Sequence, residues 1–108
     1  MAVDYLIRQG FSFLEQTWRY KKAEIDIIAQ KNEILVAVEV KTRSSDLFGD
    51  PQDFVDKKKI GLMVKAIDKY VCDQRLNVQV RFDIIAILVN SQNSKILHLK
   101  DAFFHFYL

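Results

Sequence analysis

Two short phrases of this chain alternate charged and apolar residues: Glu24-Ile25-Asp26 and Glu39-Val40-Lys41. Each lies in a segment that otherwise has the composition of a buried strand. Because the side chains of a strand point alternately to its two faces, Glu24 and Asp26 are predicted to share one face of their strand, and Glu39 and Lys41 likewise share one face of theirs. Three carboxylates and an ammonium on a hairpin with apolar backing are the groups that a divalent-metal phosphodiesterase needs.

A predicted hairpin brings the two phrases together. The strands Ala23–Ala29 and Ile34–Thr42 are joined across a short polar stretch. A turn centred near Asn32-Glu33 would put Asp26 about opposite Glu39, close enough to share one ligand. A register shifted by one residue would send the two carboxylates to opposite faces, so the predicted site depends on this turn.

The carboxylates suit magnesium, which usually takes one or two of them together with water and substrate phosphate. Asp26 and Glu39 could supply the two ligands, and Glu24 could bind a second ion or hold a water. Lys41 is placed to orient a nucleophile or to stabilise charge in the transition state. The alternative is a solvated sheet face with an ordinary Glu39–Lys41 ion pair. Convergence of carboxylates from two strongly apolar strands favours the metal site.

Length and composition describe one domain, residues 1–108. Half of the residues are hydrophobic and 28% are charged, as in ordinary soluble proteins. The net charge of +2 permits nucleic-acid binding without arguing for it. A single cysteine, Cys72, excludes an intramolecular disulfide and a multi-cysteine zinc site, which fits a reducing compartment.

No secretory signal or membrane span is visible in the sequence. The N-terminus lacks a basic start followed by an apolar stretch. The longest apolar run, Ile84–Val89, is far shorter than the ~20 residues that cross a bilayer. We therefore predict a soluble cytoplasmic protein with no membrane partner.

The remaining elements indicate an α/β protein whose mixed sheet is flanked by helices. Asp50-Pro51 is typical of the start of a helix. The predicted elements are a helix over 1–9 stopped by Gly10, a strand Phe11–Tyr20, a loop 43–52, a long helix from Asp53 to about Gln74, strands Gln79–Val89 and Lys95–Leu99, and an apolar tail 102–108.

Several basic residues are candidates for phosphate contact. Lys59 lies on the apolar stripe of the long helix, an unusual place for a lysine unless it reaches toward an anionic group. The triplet Lys57-Lys58-Lys59 could face DNA phosphates, although a solvated helix start is the commoner explanation. A positive rim around the acidic site could be extended by Arg19, Lys21, Lys22 and Arg43.

Other residues that could carry chemistry are predicted to be structural. Asp83 lies in an apolar strand, where a hydrogen-bonded aspartate is the favoured interpretation. His98 and His105 have no spacing that pairs them with the carboxylates. Cys72 is interpreted as a small buried apolar residue of the long helix.

The ordered set of motifs resembles the YraN-like family of bacterial proteins, which is grouped with Holliday-junction resolvases in the PD-(D/E)xK nuclease superfamily. The resemblance covers nearly the whole chain. Its matching phrases are Ala2-x-x-Tyr5-Leu6, Gly10-Phe11, Trp18-Arg19, Glu24-Ile25-Asp26-Ile27-Ile28-Ala29, Val38-Glu39-Val40-Lys41-Thr42-Arg43, Phe48-Gly49-x-Pro51, Val55 with Lys59, Arg81-Phe82-Asp83 and Ala102-Phe103.

The resemblance implies a restriction-endonuclease-like fold with an αβββαβ core. It implies that Asp26 and Glu39 bind Mg²⁺ or Mn²⁺, with the carbonyl of Val40 as a further ligand. By the same resemblance Lys41 is the catalytic lysine, and Glu24 matches the acidic residue that precedes the motif aspartate.

The resemblance also bears on partners. Arg43 and Lys59 match family positions, and phosphate contact is the role we expect for them and for Lys58. DNA is the implied partner. A homodimer is a further expectation, because a four-way junction offers two symmetric cleavage points. The family's glycine–glutamate pair, three residues before the alanine matched by Ala2, has no counterpart here, so we expect a first helix shortened at its N-terminus.

The sequence therefore predicts one of two functions. The first is a magnesium-dependent endonuclease that hydrolyses DNA phosphodiester bonds, including those of branched, Holliday-junction-like DNA. The second is a nucleic-acid-binding or protein-interaction module that keeps the nuclease fold and has lost cleavage. The absent first-helix glutamate is the main support for the second.

Overall fold

The computed structural model describes residues 1–44 and 57–102. These residues form two helices and five strands. In chain order they are α1 (Ala2–Arg8), β1 (Ser12–Tyr20), β2 (Ala23–Lys31), β3 (Ile34–Ser44), α2 (Lys57–Gln74), β4 (Gln79–Val89) and β5 (Ser94–Leu99).

The strands form one mixed sheet in the order β1-β2-β3-β4-β5. Consecutive strands pair antiparallel, except that β3 and β4 are parallel. A parallel pair needs a long crossover connection, and α2 lies within that connection. The predicted fold class is thus confirmed: the chain has a restriction-endonuclease-like mixed sheet with helices, to which β5 adds an antiparallel edge strand.

The sheet buries both faces, one against each helix. Leu35 and Ala37 of β3 pack in the cluster that contains α2, whereas Val36 and Val38 pack in the cluster that contains α1. A strand covered on both sides is expected to be continuously apolar, and residues 35–39 are all buried. Glu39 is the charged member of that buried run.

The predicted element bounds hold closely. The strand Gln79–Val89 is confirmed without change, and the β2–β3 turn falls at Asn32-Glu33 as predicted. Gly10 follows α1 with φ of +94°, a conformation that favours glycine and ends the helix. The interpretation of Cys72 as buried is wrong, because this residue is exposed on α2. The predicted helix start at Asp50-Pro51 and the tail beyond Ala102 lie outside the described residues.

One irregularity interrupts β1 and β2 at the same level. Ile25 packs on the α2 side of the sheet but Ile27 packs on the α1 side, so the alternation of β2 changes at Asp26. Opposite it, Thr17 has φ of 53°, and the β1–β2 register omits the Thr17–Asp26 pair. The strict alternation assumed for residues 24–29 therefore does not hold, and Asp26 lies where the two faces of the strand exchange.

Neither described helix is both long enough and apolar enough to cross a membrane.

Candidate metal and nucleic-acid site

Glu39 is the buried centre of the candidate site. It follows Leu35 and Ala37 on the side of β3 that faces α2, and only 3% of its surface is exposed. Within the described residues, its Oε2 atom is buried and has no hydrogen-bond partner. Burying a carboxylate oxygen without a partner destabilises the folded state, so a group that supplies positive charge at this point would stabilise it.

Two ammonium groups converge on the other oxygen of Glu39. Lys59 Nζ lies 2.7 Å and Lys41 Nζ lies 3.3 Å from Oε1. Burial by itself would lower the pKa of Lys59, but the hydrogen bond to Glu39 and the charges of Glu39 and Asp26 outweigh it and raise that pKa. Lys59 therefore does reach an anionic group, as its place on the apolar stripe suggested, and within this chain that group is Glu39.

Asp26 is held at the end of the β2–β3 ladder. The regular pairing stops at Ile27–Val38, one pair before Asp26 and Glu39 would stand opposite each other. There the Val40 N–H donates a 2.8 Å hydrogen bond to Asp26 Oδ2. A carboxylate oxygen thus takes the place of the main-chain acceptor that the ladder would otherwise supply. This bond fixes the orientation of Asp26 against β3.

The charge of Asp26 is poorly compensated. Burial raises the pKa of its carboxyl group, the Val40 hydrogen bond opposes that rise, and the nearby negative charge of Glu39 adds to it. Lys59 lowers the pKa and Glu24 raises it, both more weakly. A half-buried carboxyl whose pKa is raised by burial and by a second carboxylate is typical of a site that binds a cation or transfers a proton.

Glu24 lies at the margin of this arrangement. Its Oε2 accepts a 2.9 Å hydrogen bond from Arg19 Nε, and both side chains are largely exposed. No set of three acidic, histidine or cysteine side chains with metal-binding geometry occurs within residues 1–44 and 57–102. Glu24 therefore acts on Asp26 through its charge and does not complete a three-carboxylate cluster there.

The residues present do fit a divalent cation at the level of two carboxylates. Asp26 and Glu39 interact electrostatically, and Glu39 brings a buried oxygen that has no hydrogen-bond partner in the part of the chain that the structure describes. Hard cations such as Mg²⁺ take oxygen ligands and often use one or two carboxylates from the protein. Asp26 Oδ2 and Glu39 Oε1 are already hydrogen-bonded, so the second oxygen of each carboxylate is the natural donor.

The residues predicted to contact phosphate are sequence neighbours of the site, because Arg43 is two positions after Lys41 and Lys58 is next to Lys59. Lys58 is exposed at the start of the described part of α2. Arg43 Nη1 donates a 2.9 Å hydrogen bond to the Thr42 carbonyl oxygen. Nothing is described for the side chain of Lys57.

The start of α1 faces Asp26 across a cavity of about 330 Å³. Met1, Ala2 and Val3 line this cavity together with Asp26. Residues near the N-terminus of α1 are therefore neighbours of Asp26.

A second polar centre surrounds Asp83, and the sequence predicted only part of it. Asp83 is fully buried, as a hydrogen-bonded structural residue, and Arg81 binds it through two 2.9 Å contacts. His98 Nε2 lies 2.7 Å from Asp83 Oδ2, and Tyr5 Oη lies 3.0 Å from His98 Nδ1. A carboxylate only accepts, so Nε2 carries a hydrogen, and in a neutral imidazole Nδ1 then accepts from the Tyr5 hydroxyl. This chain of bonds ties α1 to β4 and β5.

The ionised form of Asp83 is favoured despite its burial. Desolvation acts to raise its pKa, but the hydrogen bonds from His98, Arg81 and the Asp101 N–H together lower it. The i, i+2 spacing of Arg81 and Asp83 was a usable signal for a same-face ion pair. The part played by His98 depends on the pairing of β4 with β5, which brings it opposite Ile85.

The sheet order, the crossover helix and the paired carboxylates of β2 and β3 define a protein with a restriction-endonuclease-like fold. Residues 1–87 match the family described as "Uncharacterised protein family UPF0102". The chain belongs to this family, which agrees with the resemblance to YraN-like proteins noted from its motifs.

Relatives of the family are similar over nearly the full chain. A UPF0102 protein of Flavobacterium psychrophilum is 55% identical over 106 residues, which cover 98% of this chain and 89% of the relative. The UPF0102 protein of Christiangramia forsetii is 53% identical over the same shares. That of Bacteroides thetaiotaomicron is 44% identical over 103 residues, covering 95% of this chain and 85% of the relative.

Proposed function

We propose that this protein is a metal-dependent endonuclease that hydrolyses DNA phosphodiester bonds and acts on branched, Holliday-junction-like DNA. The observation that carries the proposal is Glu39: a buried carboxylate with one oxygen on two lysines and the other without a hydrogen-bond partner among the described residues. Such an arrangement destabilises the folded protein, so a structural role does not explain it, whereas binding of a cation and a phosphate does.

Each residue has a proposed role. Asp26 and Glu39 hold Mg²⁺ or Mn²⁺, together with the carbonyl of Val40. When bound, the cation neutralises negative charge on the phosphate and lowers the pKa of water beside it. Lys41, with its ammonium on Glu39, orients the attacking water and stabilises the charge that develops on the phosphate oxygens.

The surrounding charges have supporting roles. Glu24 keeps negative potential on Asp26, which strengthens the attraction of a cation. Lys58, Lys59 and Arg43 contact DNA phosphates next to the cleaved bond and position the strand. Lys59 leaves Glu39 or shares it when the phosphate arrives, because one ammonium can serve both anions.

A second candidate is a module that binds DNA and does not cleave it. The observation that favours it is the pairing of Lys59 and Lys41 with Glu39 Oε1, since two ammonium groups already supply the positive charge that a cation would bring. The two candidates differ in their response to metal. A competent site gains stability from Mn²⁺ or Mg²⁺ by mass action, about 2.7 kcal/mol at one hundred times the dissociation constant.

The deciding experiment is cleavage of a labelled four-way junction beside a linear duplex and a single strand, with Mg²⁺ and with Mn²⁺. Lys41→Ala and Asp26→Ala are run in parallel, and Lys95→Ala on β5 is the matched control outside the site. Cleavage lost in both site variants and kept in Lys95→Ala is the expected result. Circular dichroism checks that each variant is folded.

The other outcomes are informative. Cleavage that survives in Lys41→Ala or Asp26→Ala would remove the assigned site. DNA binding with no cleavage, in this chain and in a version extended by the family's glycine–glutamate pair, would favour the binding module. Cleavage by the extended version alone would identify the first-helix glutamate as part of the site.

A further inference from the structure

A second cavity, of about 470 Å³, lies between the β1–β2 turn and α2. Its walls are formed by the turn residues Tyr20–Ala23 and by Leu62, Lys65 and Asp68 of α2. The volume lies within the range of about 300–1,000 Å³ that is typical of small-molecule sites. The catalytic proposal does not use this cavity.

The inner wall of the cavity is apolar. Ala23 belongs to the buried cluster under α2, and Tyr20 and Leu62 pack against that cluster. Trp18 stacks on Tyr20 with ring centroids 6.4 Å apart and planes at 14°, which helps to fix the orientation of the tyrosine ring. A wall made of an aromatic ring and an aliphatic side chain suits a flat ligand with an apolar face.

The rim is cationic. Lys22 and Lys65 are exposed, and neither has a hydrogen-bond or ion-pair partner within the described residues. Lys21 Nζ lies 5.4 Å from the centroid of the Tyr20 ring. Three ammonium groups face one carboxylate, Asp68, so the ligand is expected to be anionic. An apolar wall with a cationic rim matches a nucleotide, whose base is flat and whose phosphate is charged.

The cavity is close to the candidate site along α2. Lys59 contacts Glu39, and Leu62 of the cavity is three positions further on, which is just under one helical turn or about 4.5 Å along the axis. Successive nucleotides of a strand are about 3.4 Å apart along a duplex axis. A strand with a phosphate at Glu39 and Lys59 would therefore reach the cavity within one or two nucleotides.

We infer that this cavity receives an unpaired nucleotide of the DNA strand that the site binds. The inference rests on the proposed function, whose substrate class it narrows to DNA with unpaired bases near the cleaved bond. A base in a duplex is stacked on both faces and cannot enter such a cavity, whereas an unpaired base can stack on Tyr20, a contact worth about 1–3 kcal/mol. Asp68 can accept a hydrogen bond from the amino group of cytosine, which thymine lacks.

The test measures DNA binding by fluorescence anisotropy without divalent ions, so that it does not depend on cleavage. Lys65→Glu on the cavity rim is compared with Lys95→Glu on β5, which makes the same change of charge at the opposite edge of the sheet. A short single strand, the same strand with its central bases removed, and a duplex are the probes. Lys65→Glu is expected to weaken single-strand binding about tenfold more than Lys95→Glu.

Two further results are expected, and their opposites overturn the inference. The wild-type protein should bind the strand without its central bases about tenfold more weakly than the intact strand. The two charge variants should weaken duplex binding equally. Equal loss of single-strand binding in both variants, or equal affinity for intact and base-free strands, would overturn the inference. Binding of deoxycytidine monophosphate that requires Lys65, without any Lys65 dependence for the strand, would overturn it as well.

The experiments distinguish a wrong inference about the cavity from a wrong proposal of nuclease activity. If Lys41→Ala abolishes cleavage but Lys65→Glu and Lys95→Glu weaken single-strand binding equally, the inference about the cavity is wrong and the proposed nuclease activity is supported. A Lys65-dependent preference for unpaired bases without any cleavage would support the cavity and overturn the nuclease.

Discussion

Lys59 Nζ lies 2.7 Å from Glu39 Oε1, and this pair joins α2 to the most buried charge of β3. The ammonium and a bound cation would compete for the same carboxylate. Lys59→Met keeps the aliphatic stem and removes the charge. We expect a lower melting temperature without metal, because Glu39 loses its closest partner, and a larger rise on adding Mn²⁺.

Thermal unfolding with and without Mn²⁺ measures both effects of Lys59→Met. Lys58→Met is the matched control, since Lys58 is the exposed neighbour on the same helix. A metal response of Lys59→Met no larger than that of the wild-type protein would contradict competition at Glu39.

Asp26→Asn is expected to stabilise the metal-free protein at neutral pH. The raised pKa of Asp26 means that the folded state holds its proton more tightly than the unfolded state does. The contribution of Asp26 to stability therefore falls as pH rises from the ordinary value of 3.8 through the folded pKa. Asparagine removes the charge and keeps an oxygen for the Val40 N–H, so we expect a melting temperature a few degrees higher at pH 7.

The same variant should lose any stabilisation by Mn²⁺ or Mg²⁺. The comparison therefore separates the destabilising effect of the Asp26 charge in the metal-free protein from its role in binding a cation. Asp73→Asn, which makes the same change at an exposed aspartate of α2, serves as the control. If Asp26→Asn melts lower than the wild-type protein at neutral pH without metal, the charge of Asp26 does not oppose folding.

Asp83→Asn is expected to be strongly destabilising. The change leaves Arg81 and His98 without their buried anion, and breaking a buried pair costs about 3–5 kcal/mol. Because the folded pKa of Asp83 is lowered, its stabilisation is present above the unfolded value of 3.8 and is lost as pH falls through the folded value. Urea unfolding should therefore show a large difference between the two proteins at pH 7 that shrinks in acid. A difference independent of pH would argue against an ionised Asp83.

Lys58→Ala is expected to weaken DNA binding uniformly across sequences. Lys58 is exposed and has a proposed phosphate contact, so its loss should reduce the slope of log affinity against log salt by about 1. Titration of a labelled duplex at several salt concentrations measures the slope. Lys95→Ala on β5 is the comparison, and an identical slope for the two variants would speak against a phosphate contact at Lys58.

The elements of this fold were readable from the sequence because each has a strong local signal. The apolar run of β4, the polar turn at Asn32-Glu33 and the glycine after α1 are such signals, and all three are confirmed. The proximity of Asp26 and Glu39 followed from the turn. The end of the ladder at Ile27–Val38 did not, because it arises from an irregularity shared with the neighbouring strand β1.

Contacts between distant segments were not readable in the same way. The sequence showed that Lys59 lies on the apolar stripe of the long helix, but its partner depends on how α2 lies on the sheet. His98 reaches Asp83 only through the β4–β5 register, and a single-sequence pattern does not fix that pairing. The cavity at Tyr20 is formed by a turn and a helix together, so Lys21 and Lys22 were interpreted only as part of a basic rim, and Lys65 was not singled out.

The hydrogen bond from the Val40 N–H to Asp26 Oδ2 has a consequence for how the acidic residue can vary. A side chain anchored to the main chain of the next strand has little rotational freedom, so its remaining oxygen is preorganised before any ligand arrives. Glutamate in its place would keep the charge but would lengthen the side chain by one methylene, and it could not both meet the amide and present that oxygen at the same point. Residue 26 is thus constrained in side-chain length as well as in charge, and the strand pairing itself sets the position of the acid.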